Sequence, residues 1–141
     1  MAQERSFLRS EFSSFDLYDT AVRGRTYAHG SWISNTNRHY TLRVYFPSGY
    51  PDECPSTYIT WPSPLLGWRG LRSIESYGTN SSMHVWQTDR PGWTKVCTFR
   101  PESWSSHVSV NKVVRKGTLW IAAYECHLDD GSPISNFLVE G

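Results

Sequence analysis

Cys97 is the residue in this chain whose surroundings best suit nucleophilic chemistry. It stands between Lys95 and Arg100, and two nearby cations favour the thiolate, the form of cysteine that attacks. It also falls late in a Gly- and Pro-rich stretch, where a side chain is more accessible than in a core. A buried cysteine acting as a small hydrophobe is the competing explanation, and local chemistry weighs the two about equally. Cys54, between Glu53 and Pro55, has acidic neighbours that disfavour its thiolate. Cys126 falls on a helical stretch beside Tyr124 and Leu128, a packing position. His84 precedes Cys97 in the same irregular stretch. There its ring could polarise a carbonyl or, equally, brace the loop through backbone hydrogen bonds. His127 is placed near a helix end, where a cation meets favourable dipole charge, and His29, His39 and His107 stand in no such context. No Cys/His spacing matches a zinc site and no Gly-rich run makes a phosphate loop, so neither a metal nor a cofactor is expected.

Composition limits what can hold these residues. A chain of 141 residues makes one domain, residues 1–141, able to bury a core without disulfides or metal. Aromatic residues form 15% of it, including seven Trp, and such rings supply much of the burial. A net charge of +1, with no block of like charge, removes the electrostatic case for nucleic acid. The polar start, Met1-Ala2-Gln3-Glu4-Arg5-Ser6, leads into no long apolar run, so neither a secretory leader nor a membrane span is expected. Three widely separated cysteines indicate thiols in a reducing compartment, hence a cytoplasmic protein.

The order of elements is strands first and helices last. Phe7, Leu8 and Phe12 share a face of a short helical turn over residues 4–12. Strands are predicted at 15–22, 25–33, 40–46 and 57–61, with turns at Arg23-Gly24 and Asn35-Thr36-Asn37. The clearest is 40–46, where Tyr40, Leu42, Val44 and Phe46 alternate with Thr41, Arg43 and Tyr45 until Pro47 ends the run. Four successive strands with short connections pair as an antiparallel meander. From Pro62 to about Trp104 the chain reads as ordered coil, its four Gly and four Pro breaking regular structure and its tryptophans opposing disorder. A helix capped by Ser105 or Ser106 carries Val110, Val113 and Val114, with a break or bend at Gly117. A second helical run, 118–128, stops at Asp129-Asp130-Gly131. The fold class is α+β, with helices packed on one side of the sheet.

Three patterns in this order resemble the ubiquitin-conjugating enzyme family. Phe46-Pro47-Ser48-Gly49-Tyr50-Pro51-Asp52-Glu53-Cys54-Pro55 is similar to the family's signature between its third and fourth strands, each proline fixing φ at a corner. His84 and Cys97 follow in a long coil after the fourth strand. Trp104-Ser105 then precedes Val108, Ser109, Val110, Lys112, Val113 and Val114, similar to the Trp-Ser-Pro opening of the helix behind the family's active site. The resemblance spans residues 15–131. The run Leu119-Trp120-Ile121-Ala122-Ala123-Tyr124-Glu125, closing at Asp130-Gly131, looks more like the bacterial branch, whose members occur in anti-phage conjugation systems, some beside cGAS-like nucleotidyltransferases. The chain departs from the pattern in three places. His-Pro-Asn is here His84-Val85-Trp86, so the family's oxyanion-stabilising asparagine has no match. Trp-Ser-Pro is Trp104-Ser105-Ser106, and the N-terminal helix that meets the activating enzyme is shortened.

The resemblance implies a UBC-like fold in which a long ordered coil carries the catalytic cysteine. It also implies a transferase that accepts a ubiquitin-like modifier on Cys97 from an activating enzyme and passes it to an amine on a target protein, with a cGAS-like nucleotidyltransferase as one such target. His84 or backbone N–H groups near Cys97 then hold the oxyanion. Trp86, Trp93 and Trp104 shape and dry the coil, the Trp104 ring buried beneath it. Two other readings stay open: a binding module of the same fold without catalysis, and a Cys-His hydrolase pairing Cys97 with His84 or His127.

Overall fold

The alternation in residues 40–46 lies at the centre of the molecule. In the computed structural model, which describes residues 2–138, Tyr40, Leu42 and Val44 are buried while Thr41, Arg43 and Tyr45 remain partly exposed. Along the chain run helix α1 (Ala2–Glu11), strands β1 (Asp16–Tyr18), β2 (Tyr27–Ile33), β3 (His39–Tyr45) and β4 (Ser56–Trp61), short strands β5 (Val85–Trp86) and β6 (Thr94–Val96), and helix α2 (Val110–Asp130). The α+β class and the antiparallel meander of β1 to β4 are as expected. Met1 and residues 139–141, counted above in the same domain, lie outside the described residues.

The sheet has six strands rather than four, in the order β1-β2-β3-β4-β6-β5. The two additional strands fall inside the stretch read as coil. β6 pairs antiparallel with β4, Thr57 opposite Val96, and β5 pairs with β6, Val85 opposite Val96. At two and three residues they are too short for period-two alternation to register, and tertiary pairing alone defines them. The first predicted strand shrinks to Asp16–Tyr18, after which Asp19 adopts φ 54° and the chain turns away.

The two predicted late helices are one. Ser109, not Ser105 or Ser106, caps α2, its side chain accepting from the Lys112 N–H, and Gly131 closes it at φ 78° with its N–H donating to His127 O at 2.7 Å. Gly117 does not break the helix; it brings α2 close to β3, where a Cβ at this position would stand 2.8 Å from Leu42 Cδ2. Gly117→Val should therefore overpack the interface and lower stability by about 1–3 kcal/mol. A urea melt with an unchanged midpoint would show that the helix–sheet contact has room to spare.

One face of the sheet packs on α2, with Val113, Val114, Trp120, Ile121 and Tyr124 buried in the core. The Tyr40 hydroxyl donates to Glu125 Oε2 at 2.7 Å, tying β3 to the second half of α2. Helix α1 buries Leu8 and Phe12 and is fastened to α2 by the Arg115–Glu11 ion pair at 2.8 Å and by Asn111 donating to Phe7 O at 2.8 Å. On the opposite face the Arg43 guanidinium lies over Tyr27, 4.2 Å from the ring centroid, and 5.0 Å from that of Trp93, while Arg90 covers Tyr45 at 4.0 Å. These cation–π contacts place Trp93 on the outer sheet face, away from the drying role expected of it. Among the described residues no helix is long and apolar enough to cross a membrane.

Candidate active site

Strand pairing brings His84 and Cys97 together. The β5–β6 register sets Trp86 opposite Lys95 and Val85 opposite Val96, so the next positions outward are His84 and Cys97. The Cys97 N–H donates to the His84 carbonyl at 2.8 Å. Because β6 is itself held by β4, Cys97 emerges at the end of a strand fixed on both sides, a firmer mount than coil. His84 sits at φ 51°, a left-handed conformation that His adopts more readily than most side chains.

The turn before His84 is tightly specified. The Asn80 side-chain oxygen accepts from the Ser82 N–H at 3.1 Å and from its hydroxyl at 2.6 Å. The Met83 carbonyl accepts from the buried Trp120 indole N–H at 3.2 Å, and the Ser82 carbonyl from the Ser135 N–H at 2.8 Å. Helix α2 and the segment after it thus hold the backbone that carries His84.

Two clefts meet at Cys97, which is half-buried. One, of about 320 Å³, runs toward α2 and is lined by Thr98, Ser103, Lys116, Leu119, Trp120 and Leu138. The other, of about 250 Å³, runs toward β5 and is lined by Asn80, Ser81, Val85, Trp86 and Pro101. His84, Cys97, Arg100 and Glu102 belong to both. A thiol between two grooves can receive an acyl group from one side and present it to a nucleophile from the other.

The cation that shares the cleft with Cys97, besides Arg100, is Lys116 and not the sequence neighbour Lys95. Lys95 turns to the outer sheet face, its Nζ 5.9 Å from the Tyr58 ring centroid. Lys116 Nζ lies 4.3 Å from the centroid of Phe99. Burial holds the Lys116 amine below its ordinary value, repulsion from Lys112 adds to this, and the negative charge of a Cys97 thiolate acts in the opposite sense. The attraction is mutual, so the Lys116 ammonium stabilises that thiolate. Lys116 was missed because it is far from Cys97 in sequence; its signal was the basic pair Lys112 and Lys116 at helical i,i+4 spacing.

The remaining candidates separate cleanly. None of the three cysteines is in a disulfide. Burial, with a contribution from the Cys97 charge, pushes the Cys54 thiol up to about 11, which leaves it a poor nucleophile at neutral pH. Cys126 is exposed on α2, not packed as its neighbours suggested. His127 is fully buried, its Nε2 accepting from the Trp68 N–H at 3.2 Å and its Nδ1 at 2.8 Å from Ser132 O. An accepting Nε2 leaves the proton on Nδ1, so both nitrogens are committed to backbone, and His127 lines neither cleft beside Cys97. The Trp104 ring is half-buried rather than buried; its indole N–H donates to Pro51 O at 2.9 Å, and it packs edge-to-face with Phe99, ring centroids 5.4 Å apart. It joins the 47–55 turn to the segment following Cys97.

Fold and site together define an α+β domain with a thiol mounted at a strand end, between a histidine and two cations. No family model, no curated protein and no solved structure matches the chain.

Proposed function

We propose that this protein carries a ubiquitin-like modifier as a thioester on Cys97 and passes it to an acceptor amine, in the manner of a ubiquitin-conjugating enzyme. The observation that carries the reading is the position of Cys97 where two clefts meet, with His84, Arg100 and Glu102 common to both. The ordered sequence patterns around Phe46-Pro47, His84, Cys97 and Trp104-Ser105 support it. The working partners are then an activating enzyme, the modifier and a target protein in the cytoplasm, a cGAS-like nucleotidyltransferase among the targets in an antiviral setting.

In the first step the Cys97 thiolate, supported by Lys116, attacks the modifier thioester on the activating enzyme and displaces that enzyme's thiolate. In the second an amine attacks the Cys97 thioester and the tetrahedral oxyanion needs donors already in place. Incubation with modifier and activating enzyme should give an adduct on a non-reducing gel that reductant removes. Cys97→Ser should turn it into a reductant-stable oxyester or abolish it. An adduct that persists in Cys97→Ala and disappears in Cys54→Ala or Cys126→Ala would overturn the assignment. The shared cleft also admits a hydrolase in which His84 assists Cys97; release of modifier from a thioester by this protein alone, with no acceptor, would favour it.

A further inference from the structure

We infer that Lys116 is an internal acyl acceptor: once Cys97 is charged, the Lys116 amine can take the acyl group and leave the protein modified through an isopeptide bond. The inference rests on the carrier reading above and adds to it a modification site on the chain itself. Three observations support it. Lys116 lines the same cleft as Cys97, together with His84, Arg100 and Glu102, and its amine is steadied over Phe99, two residues beyond the thiol. The sequence holds only three lysines, Lys95, Lys112 and Lys116, against eleven arginines, so the chain offers few amines to a reactive thioester, yet one of them stands inside the active-site cleft.

The third observation is electrostatic. A Cys97 thiolate favours the charged form of Lys116, whereas burial and Lys112 favour the neutral amine. Acylation converts the thiolate into an uncharged thioester and removes the opposing influence. Charging Cys97 thus shifts Lys116 toward its neutral form in the cleft where its target carbonyl has arrived, and proximity supplies much of the remaining advantage. The neutral nitrogen bonds to the thioester carbonyl carbon and the C–S bond breaks with its electron pair on Cys97 sulfur. The proton leaving nitrogen goes to that sulfur or to solvent. The products are an amide at Lys116 and a regenerated thiol, able to be charged again.

The test is a charging reaction without acceptor, followed in time and divided between reducing and non-reducing gels, with peptide mapping of any band that resists reductant. The expected result is a reductant-labile adduct that matures into a resistant one mapped to Lys116. Lys116→Arg, which keeps a cation beside the thiol but supplies no competent nucleophile, should lose the resistant fraction of the charged pool; Lys95→Arg and Lys112→Arg should retain it. Lys116→Gln serves as the second variant should arginine disturb the cleft. A labile adduct that never matures, or a resistant adduct that maps elsewhere or survives in Lys116→Arg, overturns the inference while leaving the carrier reading intact. Absence of any labile adduct on Cys97 overturns both.

Discussion

Replacing Trp120 by alanine is expected to lower stability by about 3–5 kcal/mol, the range for truncating a fully buried large aromatic. The ring is 1% exposed and stacked on Tyr124 with centroids 5.5 Å apart. It also forms part of the α2 wall of the Cys97 cleft, and its indole N–H holds the Met83 carbonyl, one residue before His84. The substitution therefore removes core volume and unfastens the turn that aims His84. Trp120→Phe separates these effects: most of the ring volume stays, the hydrogen bond goes, and an unsatisfied buried carbonyl costs about 1–3 kcal/mol. Urea melts give the stability difference, and the rate of Cys97 alkylation by iodoacetamide reports on the cleft. Faster alkylation in Trp120→Ala than in the native protein is expected; equal midpoints for all three proteins would place the ring outside the core and defeat the account.

The parts of this fold that could be read from sequence are those whose signal is local. Tyr40, Leu42 and Val44 alternate over enough residues to declare a half-buried strand, and Pro47 ends it. The turn before Ser56 is marked by Pro47, Pro51 and Pro55. Strands β5 and β6 carry no such signal, because each is shorter than one readable alternation and exists through its pairing with a neighbour. Gly117 misled for a related reason: glycine is a weak helix former, but here the missing side chain is what lets Leu42 approach, a fact of packing that no window around residue 117 contains.

The site divides in the same way. Cys97 is the cysteine at which two clefts meet, whereas Cys54 and Cys126 each line another, and only one of its two sequence-flanking cations stands beside it. Arg100 does line the cleft, but alternation along β6 sends Lys95 to the opposite face, and Lys116 arrives from α2 in its place. His84 was placed near Cys97 by family likeness; the structure supplies the physical cause, an antiparallel register that sets the two opposite each other.

Under the proposed carrier function, His84→Ala is expected to leave charging of Cys97 largely intact and to slow discharge to an amine by about 10²–10³-fold, the usual effect of losing one oxyanion donor. In charging, the activating enzyme brings its own catalytic groups, and a thiolate attacking a thioester needs little help. In discharge an amine attacks, charge builds on the carbonyl oxygen, and only donors already in position lower that barrier. The Cys97 N–H is committed to the His84 carbonyl at 2.8 Å, so it does not serve as that donor. Side chains lining the cleft must, and His84 and Arg100 are the nitrogen donors it shares with its neighbour around Cys97, apart from backbone. Alanine alone makes an impure test, since φ 51° at this position suits Asn and His better than Ala. His84→Asn is the sharper variant: asparagine tolerates the left-handed backbone, and its amide offers an N–H where the imidazole stood. Single-turnover discharge from pre-charged protein should fall sharply in His84→Ala and recover in part in His84→Asn, with charging nearly level across the three proteins. If His84 only braces the turn, charging, discharge and thermal stability will fall together in His84→Ala, and the asparagine variant will restore all three alike. That outcome, or discharge undiminished in both variants, removes the imidazole from the mechanism and leaves Arg100 as the donor to test next.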